Sequence, residues 1–269
     1  MLYEVEGLVC RIGGRAVLDK LSFGIAEGRM TGIIGPNGAG KSTLLGVLSG
    51  VVPIHEGHVR LRGRPIGSYG RKELARWAAV LRQEGLPAAL FTVREVVGMG
   101  RFPFQNWLGH EEADAASVIE RAIRAMGLES LAERRLDQLS GGERQRVALA
   151  QVMAQEPRLI LLDEPTTYLD IGYQVQLLDT VRAWQRRDGL TAIAVLHDLN
   201  LASQYCDELL VLKDGRMAAY GPPADVLTEA TISQVYGTEP VVLAHPVGGR
   251  PQVLLKPQHG NESAKEWEA

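Results

Sequence analysis

Apolar residues recur along this chain in two rhythms. Short, mostly apolar runs stand at Leu2 to Val9, Met30 to Ile34, Leu159 to Leu162, Thr191 to Leu196 and Glu208 to Leu212. Each has the length of a strand, and the stretches between them carry helical spacing. Such alternation predicts an α/β fold: a mixed, largely parallel sheet covered by helices. Up to Arg60–Gly63 the turns GGR, EGR and RGR have hairpin character, which predicts an antiparallel β edge portion. From about Gly85 to Pro157 strand signals vanish and helical periodicity dominates, as in EEADAASVIERAIRAMG. This stretch, 85–157, reads as a helical insertion within the core. After Pro240, HPVGGRPQVLLKP predicts one more hairpin, and the polar end HGNESAKEWEA is expected to fray.

Composition narrows the class. A chain of 269 residues, with 45% hydrophobic and 23% charged residues, is ordinary for a globular protein that buries a real core. No apolar run approaches the roughly 20 residues that span a bilayer, and the opening MLYEVEGLVC does not read as a secretory signal. A net charge of −3 argues against a protein built mainly to grip nucleic acid. Cys10 and Cys206 stand without metal-ligand spacing and read as reduced, packed thiols.

Chemistry enters with IIGPNGAGKST at residues 33–43. Gly35, Gly40, Lys41 and Ser42 satisfy G-x-x-x-x-G-K-[ST], the phosphate-binding loop of nucleotide triphosphatases. An apolar run ending at Ile34 reads as a buried strand, and Thr43 to Leu48 reads as a helix stopped by Gly50 and Pro53. The whole loop, Gly35, Pro36, Asn37, Gly38, Ala39, Gly40, Lys41, Ser42 and Thr43, then cradles phosphate at a helix N-terminus. Lys41 suits the β- and γ-phosphates, and the Ser42 hydroxyl suits Mg²⁺.

Two further segments complete a site. In LILLDEP, residues 159–165, a buried strand delivers Asp163 and Glu164 to its C-terminal end. Asp163 suits the Mg²⁺ shell, and Glu164 can polarise a water for attack on the γ-phosphate. In LSGGERQR, Ser140, Gly141, Gly142 and Glu143 open a helix and form a second anion site. One nucleotide needs one cradle, so two such loops in a chain point to a head-to-tail homodimer in which each signature loop closes over the partner's ATP.

GPNGAGKST, LSGGE and LILLDEP, in this order and spacing, resemble the ATPase subunit of an ABC transporter over about Leu2 to Gly237. The resemblance implies an ABC ATPase domain over residues 1–240, its P-loop core at about 1–84 and 158–240, followed by a C-terminal extension, 241–269. It implies ATP hydrolysis with Mg²⁺ at Ser42, Gln83 and Asp163, with Gln83 as the Q-loop glutamine that also touches the attacking water. By the same resemblance, Asp170 in TTYLD is the D-loop aspartate, and His197 in VLHDLN is the switch histidine that contacts the γ-phosphate. The family's adenine-stacking aromatic aligns with Ile12, with Arg11 as the alternative contact; isoleucine lacks the π face and forgoes about 1 kcal/mol of stacking.

The family also implies partners: integral membrane permease subunits, and through them a substrate-binding protein, with the subunit peripheral at the cytoplasmic face of the membrane. FTVREVVGMGRFPFQNWLG is similar to a segment of importers of ferric siderophores, haem and cobalamin, and places Arg101, Phe102 and Phe104 near the permease-docking groove. LHDLNLASQYCDELLVLKDGR and the C-terminal HPVGGRP are similar to the same group. The expected cargo is an iron chelate; cobalamin, another small solute, or a cytosolic partner of an ABC-type ATPase are the alternatives.

Overall fold

The computed structural model describes residues 1–82, 86–106, 114–167 and 169–256. Gln83 and the terminal HGNESAKEWEA lie outside these residues.

The central sheet has six strands in the order β10-β9-β3-β8-β7-β6. They are β3 (Met30–Ile34), β6 (Ala78–Leu81), β7 (Leu159–Asp163), β8 (Thr191–Val195), β9 (Glu208–Lys213) and β10 (Arg216–Gly221). All neighbours run parallel except the β9–β10 hairpin. Alternate side chains serve two separate cores, as period-two geometry requires. Ile33, Leu161, Val195 and Leu210 face one core, while Ile34, Ile160, Ala194 and Val211 face the other.

On the first face lie helix α1 (Lys41–Leu48) and an antiparallel sheet of β1 (Tyr3–Ile12), β2 (Arg15–Ile25), β4 (Glu56–Leu61) and the short β5 (Arg64–Pro65), in the order β2-β1-β4-β5. GGR turns β1 into β2, and RGR turns β4 into β5. EGR instead carries the chain from one sheet to the other, because β3 is buried on both faces and pairs in parallel with β8 and β9. Strand β6 is the element least visible in the sequence. Four residues, two of them alanine, acquire strand geometry by pairing with β7.

Small helices α2 (Arg71–Ala75) and α3 (Val93–Met99), then α4 (Ala115–Ala125) and α5 (Gly141–Ala154), precede β7 in the chain. Packed on the second face are α5, α6 (Ile171–Asp188), α7 (Leu199–Tyr205), α8 (Pro223–Val226) and α9 (Glu229–Tyr236). The Gln155 amide, just past α5, donates to the carbonyls of Ala75 and Ala78 and so pins that end of the helix to α2 and β6. At the opposite end of the sheet from the phosphate loop, Arg182 on α6 grips Asp207 through two guanidinium nitrogens at 2.9 and 2.8 Å. Asp207 also accepts the Met30 N–H at 2.8 Å, locking the start of β3. The predicted last hairpin is present as β11 (Pro240–Ala244) and β12 (Pro251–Leu255). No helix of the described residues is long and apolar enough to cross a membrane.

Candidate functional site

The strand–loop–helix from β3 to α1 shapes the site. Gly35 and Gly40 are required by both conformation and space, with φ of 149° and 96°. A Cβ on Gly35 would lie 2.1 Å from the Leu212 carbonyl oxygen, and one on Gly40 would lie 2.7 Å from Leu18 Cδ2. Helix α1 starts at Gly40 with no side-chain cap and no acidic residue in its first turn, so its leading N–H groups have no acceptor of their own. Lys41 is buried, and its Nζ donates to the carbonyls of Gly35 and Pro36, both at 2.9 Å. Burial lowers its pKa, while the carboxylates of Glu164 and Asp163 act the other way.

Asp163 ends β7 beside this loop and accepts the Ser42 hydroxyl at 3.0 Å. Burial raises its pKa; the Ser42 hydrogen bond opposes this and the neighbouring Glu164 adds to it. Glu164 follows at φ 49°, a left-handed conformation uncommon for glutamate. Its Oε1 meets His197 Nε2 at 2.7 Å, and its Oε2 accepts the Thr167 hydroxyl at 3.3 Å. Glu164, Thr167 and His197 share an open cleft of about 640 Å³ with Asn37, Lys41 and Ser42.

Hydroxyl and carboxylate oxygens are the hard donors that Mg²⁺ prefers. Among the described residues no cluster of three or more His, Cys, Asp or Glu could hold a metal alone. Ser42 and Asp163, bonded to each other at 3.0 Å, present hard oxygen donors of this kind.

The other motif residues lie elsewhere. Ser140 caps α5 through a reciprocal box: its hydroxyl donates to Glu143 Oε2 at 2.8 Å and accepts the Glu143 N–H at 3.3 Å. The Ser140 N–H and hydroxyl hold the Glu143 carboxyl below the usual range. None of Ser140, Gly141, Gly142 and Glu143 lines the Lys41 cleft. Their neighbour is α6, where the Tyr173 ring lies against Gly142. Asp170 caps that same helix by accepting the Tyr173 N–H at 3.0 Å.

Arg11 is engaged, its N–H donating to His55 and its guanidinium to Glu56 at 3.3 Å. Ile12 is exposed at the end of β1. Arg101 differs from its expected place on a docking surface: it is only 3% exposed, donating to the Ala154 carbonyl and to Glu156. Its guanidinium covers Phe104 at 4.1 Å, which leaves Phe102 as the outward aromatic.

Sequence reading passed over two residues that line the cleft, Val17 and Thr167, and a third, Tyr236, that stands near Gly35. Burial pushes the Tyr236 phenol up to about 12. Thr167 could have been found as the second hydroxyl after DEP; Val17 and Tyr236 reach the loop only through tertiary packing.

Comparisons with known proteins agree in kind. The model of the ABC transporter family matches residues 18–167. An uncharacterized ABC transporter ATP-binding protein of Bacillus subtilis, YvrA, is 40% identical over 95% of this chain; the chain spans 58% of that relative's length. The hemin import ATP-binding protein HmuV of Rhodococcus jostii is 44% identical over 93% of this chain and 85% of its own. The ferric enterobactin transport ATP-binding protein FepC of Escherichia coli is 41% identical over 93% and 92%. Among solved structures, the dimeric bacterial ABC transporter cassette MJ0796 superimposes with a TM-score of 0.71 at 26% identity, covering 82% of this chain and 98% of that one.

Proposed function

Because the chain belongs to the ABC transporter family, we propose that it is the ATP-hydrolysing subunit that powers import of an iron chelate, a ferric siderophore or haem, through membrane permease subunits. The observation that carries the catalytic part is the convergence of Lys41, Ser42, Glu164 and His197 on one cleft, with Asp163 bonded to Ser42 at its edge.

In this reading the phosphate loop, 35–43, binds the triphosphate. Its carbonyls at Gly35 and Pro36 accept from the Lys41 ammonium and hold it within the loop. Ser42 and Asp163 would hold Mg²⁺, with Gln83 as the third contributor. When bound, the ion neutralises charge on the β- and γ-phosphates. Glu164 accepts a proton from the attacking water and His197 donates to the γ-phosphate, each side chain oriented by the other. Adenine packs near Ile12 and Arg11.

Ser140 to Glu143 close over the nucleotide of a second copy, and Asp170 crosses beside them. The separation of this loop from the chain's own cleft supports a head-to-tail homodimer, as does the likeness to a dimeric cassette. The domain is 1–240, with its core at 1–84 and 158–240, the helical part at 85–157 and an extension at 241–269. The subunit works at the cytoplasmic face of the membrane, receives cargo indirectly from a substrate-binding protein, and does not act on nucleic acid. Closure of the dimer moves the docked permease helices, and hydrolysis reopens them.

The cargo class rests on likeness to hemin and ferric enterobactin transport subunits. The test is cellular uptake of labelled ferric siderophore, haem and cobalamin by wild type and Glu164→Gln. Loss of iron-chelate uptake alone supports the proposal. Loss of cobalamin uptake alone reassigns the cargo, and normal uptake of all three, with no redundant system present, rejects it.

A further inference from the structure

We propose that the C-terminal hairpin is a clamp that sets the position of His197, with Asn200 and Arg250 as positioning residues for the hydrolysis assigned above. The inference rests on reading His197 as the γ-phosphate contact.

His197 sits immediately before α7, a helix of seven residues. A helix that short does not hold its own geometry and must be fixed from outside. Asp198 fixes its start, its Oδ1 accepting the N–H groups of Asn200 and Leu201 at 2.7 and 2.9 Å. At its far end the Tyr205 hydroxyl donates to Asp179 on α6 at 2.9 Å, and the other side-chain ties come from residues about fifty positions further along. The Asn200 amide pairs with both backbone groups of Val253, accepting its N–H at 2.7 Å and donating to its carbonyl at 3.3 Å. One side chain thus stands in for a neighbouring strand along β12. Ser203, fully buried, donates to the Pro251 carbonyl at 2.7 Å. Arg250 donates to the carbonyls of Ser203 and Cys206, which the end of α7 would otherwise leave unpaired.

The hairpin is anchored in turn. Val253 is buried in the same core as α5 and α6, and Glu229 on α9 accepts the Val242 N–H of β11 at 3.3 Å. Helix α9 ends at Tyr236, partly buried against the same core as Val253. The C-terminal unit therefore holds the switch helix against the core shared with α5 and α6. A small tilt of α7 would move the imidazole off its 2.7 Å contact with Glu164.

The test uses full-length Arg250→Ala, Asn200→Ala and the conservative Arg250→Lys in the complete transporter. Both alanine variants should lower kcat for ATP roughly tenfold or more while KM stays within about twofold, and Arg250→Lys should recover much of the loss. In a His197→Ala background, Arg250→Ala should cost less than about twofold further, since its effect runs through the missing imidazole. A second readout does not need turnover: the NMR titration midpoint of the His197 ring in the full chain should move in Arg250→Ala. Unchanged kcat, a rise in KM alone, effects that multiply in the double variant, or an unmoved His197 titration would each overturn the clamp. If His197→Ala alone kept near wild-type turnover, the role given to His197 would fall, and the ring titration would still decide whether the hairpin positions it.

Discussion

Glu164 and His197 are bonded to each other at 2.7 Å, Oε1 to Nε2, at the mouth of the phosphate loop. The Thr167 hydroxyl occupies the other carboxylate oxygen, so Glu164 is oriented from both sides. A carboxylate held this way has its direction fixed before a water arrives, which is the preorganisation that general-base catalysis rewards.

Replacing Glu164 with glutamine keeps the shape and removes the base. Turnover should fall by about 10² to 10⁴. ATP should still bind, and the loaded variant should sediment at twice the monomer mass. Near wild-type phosphate release would sink the role assigned to Glu164, and a persistent monomer would sink the dimer.

Lys41→Ala should fail earlier, at nucleotide binding. Losing a charged donor to phosphate costs about 1.5–3 kcal/mol, or roughly 10- to 100-fold in affinity. Equilibrium titration with a fluorescent ATP analogue measures it, and unchanged affinity would contradict the placement of phosphate at this loop.

Asp163 presents the opposite trade. Its raised pKa means the fold favours the protonated form; that contribution is full below the ordinary carboxylate range and is lost as pH rises through the folded pKa. At neutral pH the charge therefore costs stability. Asp163→Asn should raise the unfolding midpoint of the nucleotide-free chain at pH 7, with the gain shrinking toward pH 4, and should abolish Mg²⁺-dependent hydrolysis. A lowered midpoint at pH 7 would show that the charge is not a burden.

Ser140→Ala removes the capping box of α5 and should cost about 1 kcal/mol of stability. Because Ser140 lies outside the chain's own cleft, ATP affinity of the monomer should stay unchanged while turnover falls. Loss of monomer affinity would place the signature loop on its own nucleotide after all.

Arg182→Met breaks a largely buried pair and strands Asp207, at a cost of about 3 kcal/mol at pH 7. Burial pushes the Asp207 carboxyl up, but Arg182 and the Met30 N–H outweigh it and hold the pKa below its usual value. Its contribution is present above the unfolded carboxylate pKa and is lost as pH falls through the folded one. Denaturant melts of wild type and variant should therefore converge in acid; a constant gap would assign the cost to packing.

What the sequence made legible was contiguous. The phosphate loop, the two carboxylates at the end of β7 and the capped start of α5 each lie within a dozen residues, where spacing alone carries the chemistry. Pairings across long separations were not legible. Nothing near Arg101 announces Ala154 and Glu156 as its partners, so a residue expected at a docking surface proves to be a buried pin. Strand β6 exists because β7 lies beside it, and Val17 reaches the cleft because β2 passes over the phosphate loop. The pairing of Arg11 with Glu56, 45 residues away, was equally illegible.

The bond between Gln155 and the carbonyls of Ala75 and Ala78 has a mechanical meaning. It fixes one end of α5, a helix of 14 residues whose other end carries Ser140. At 1.5 Å per residue this is a lever arm of about 21 Å, so a tilt of about 5° at the fulcrum swings Ser140 through about 2 Å. That stroke exceeds the tolerance of the hydrogen bond to phosphate proposed for Ser140. A slight rocking at the Gln155 end would thus be read at the far end as contact made or contact broken.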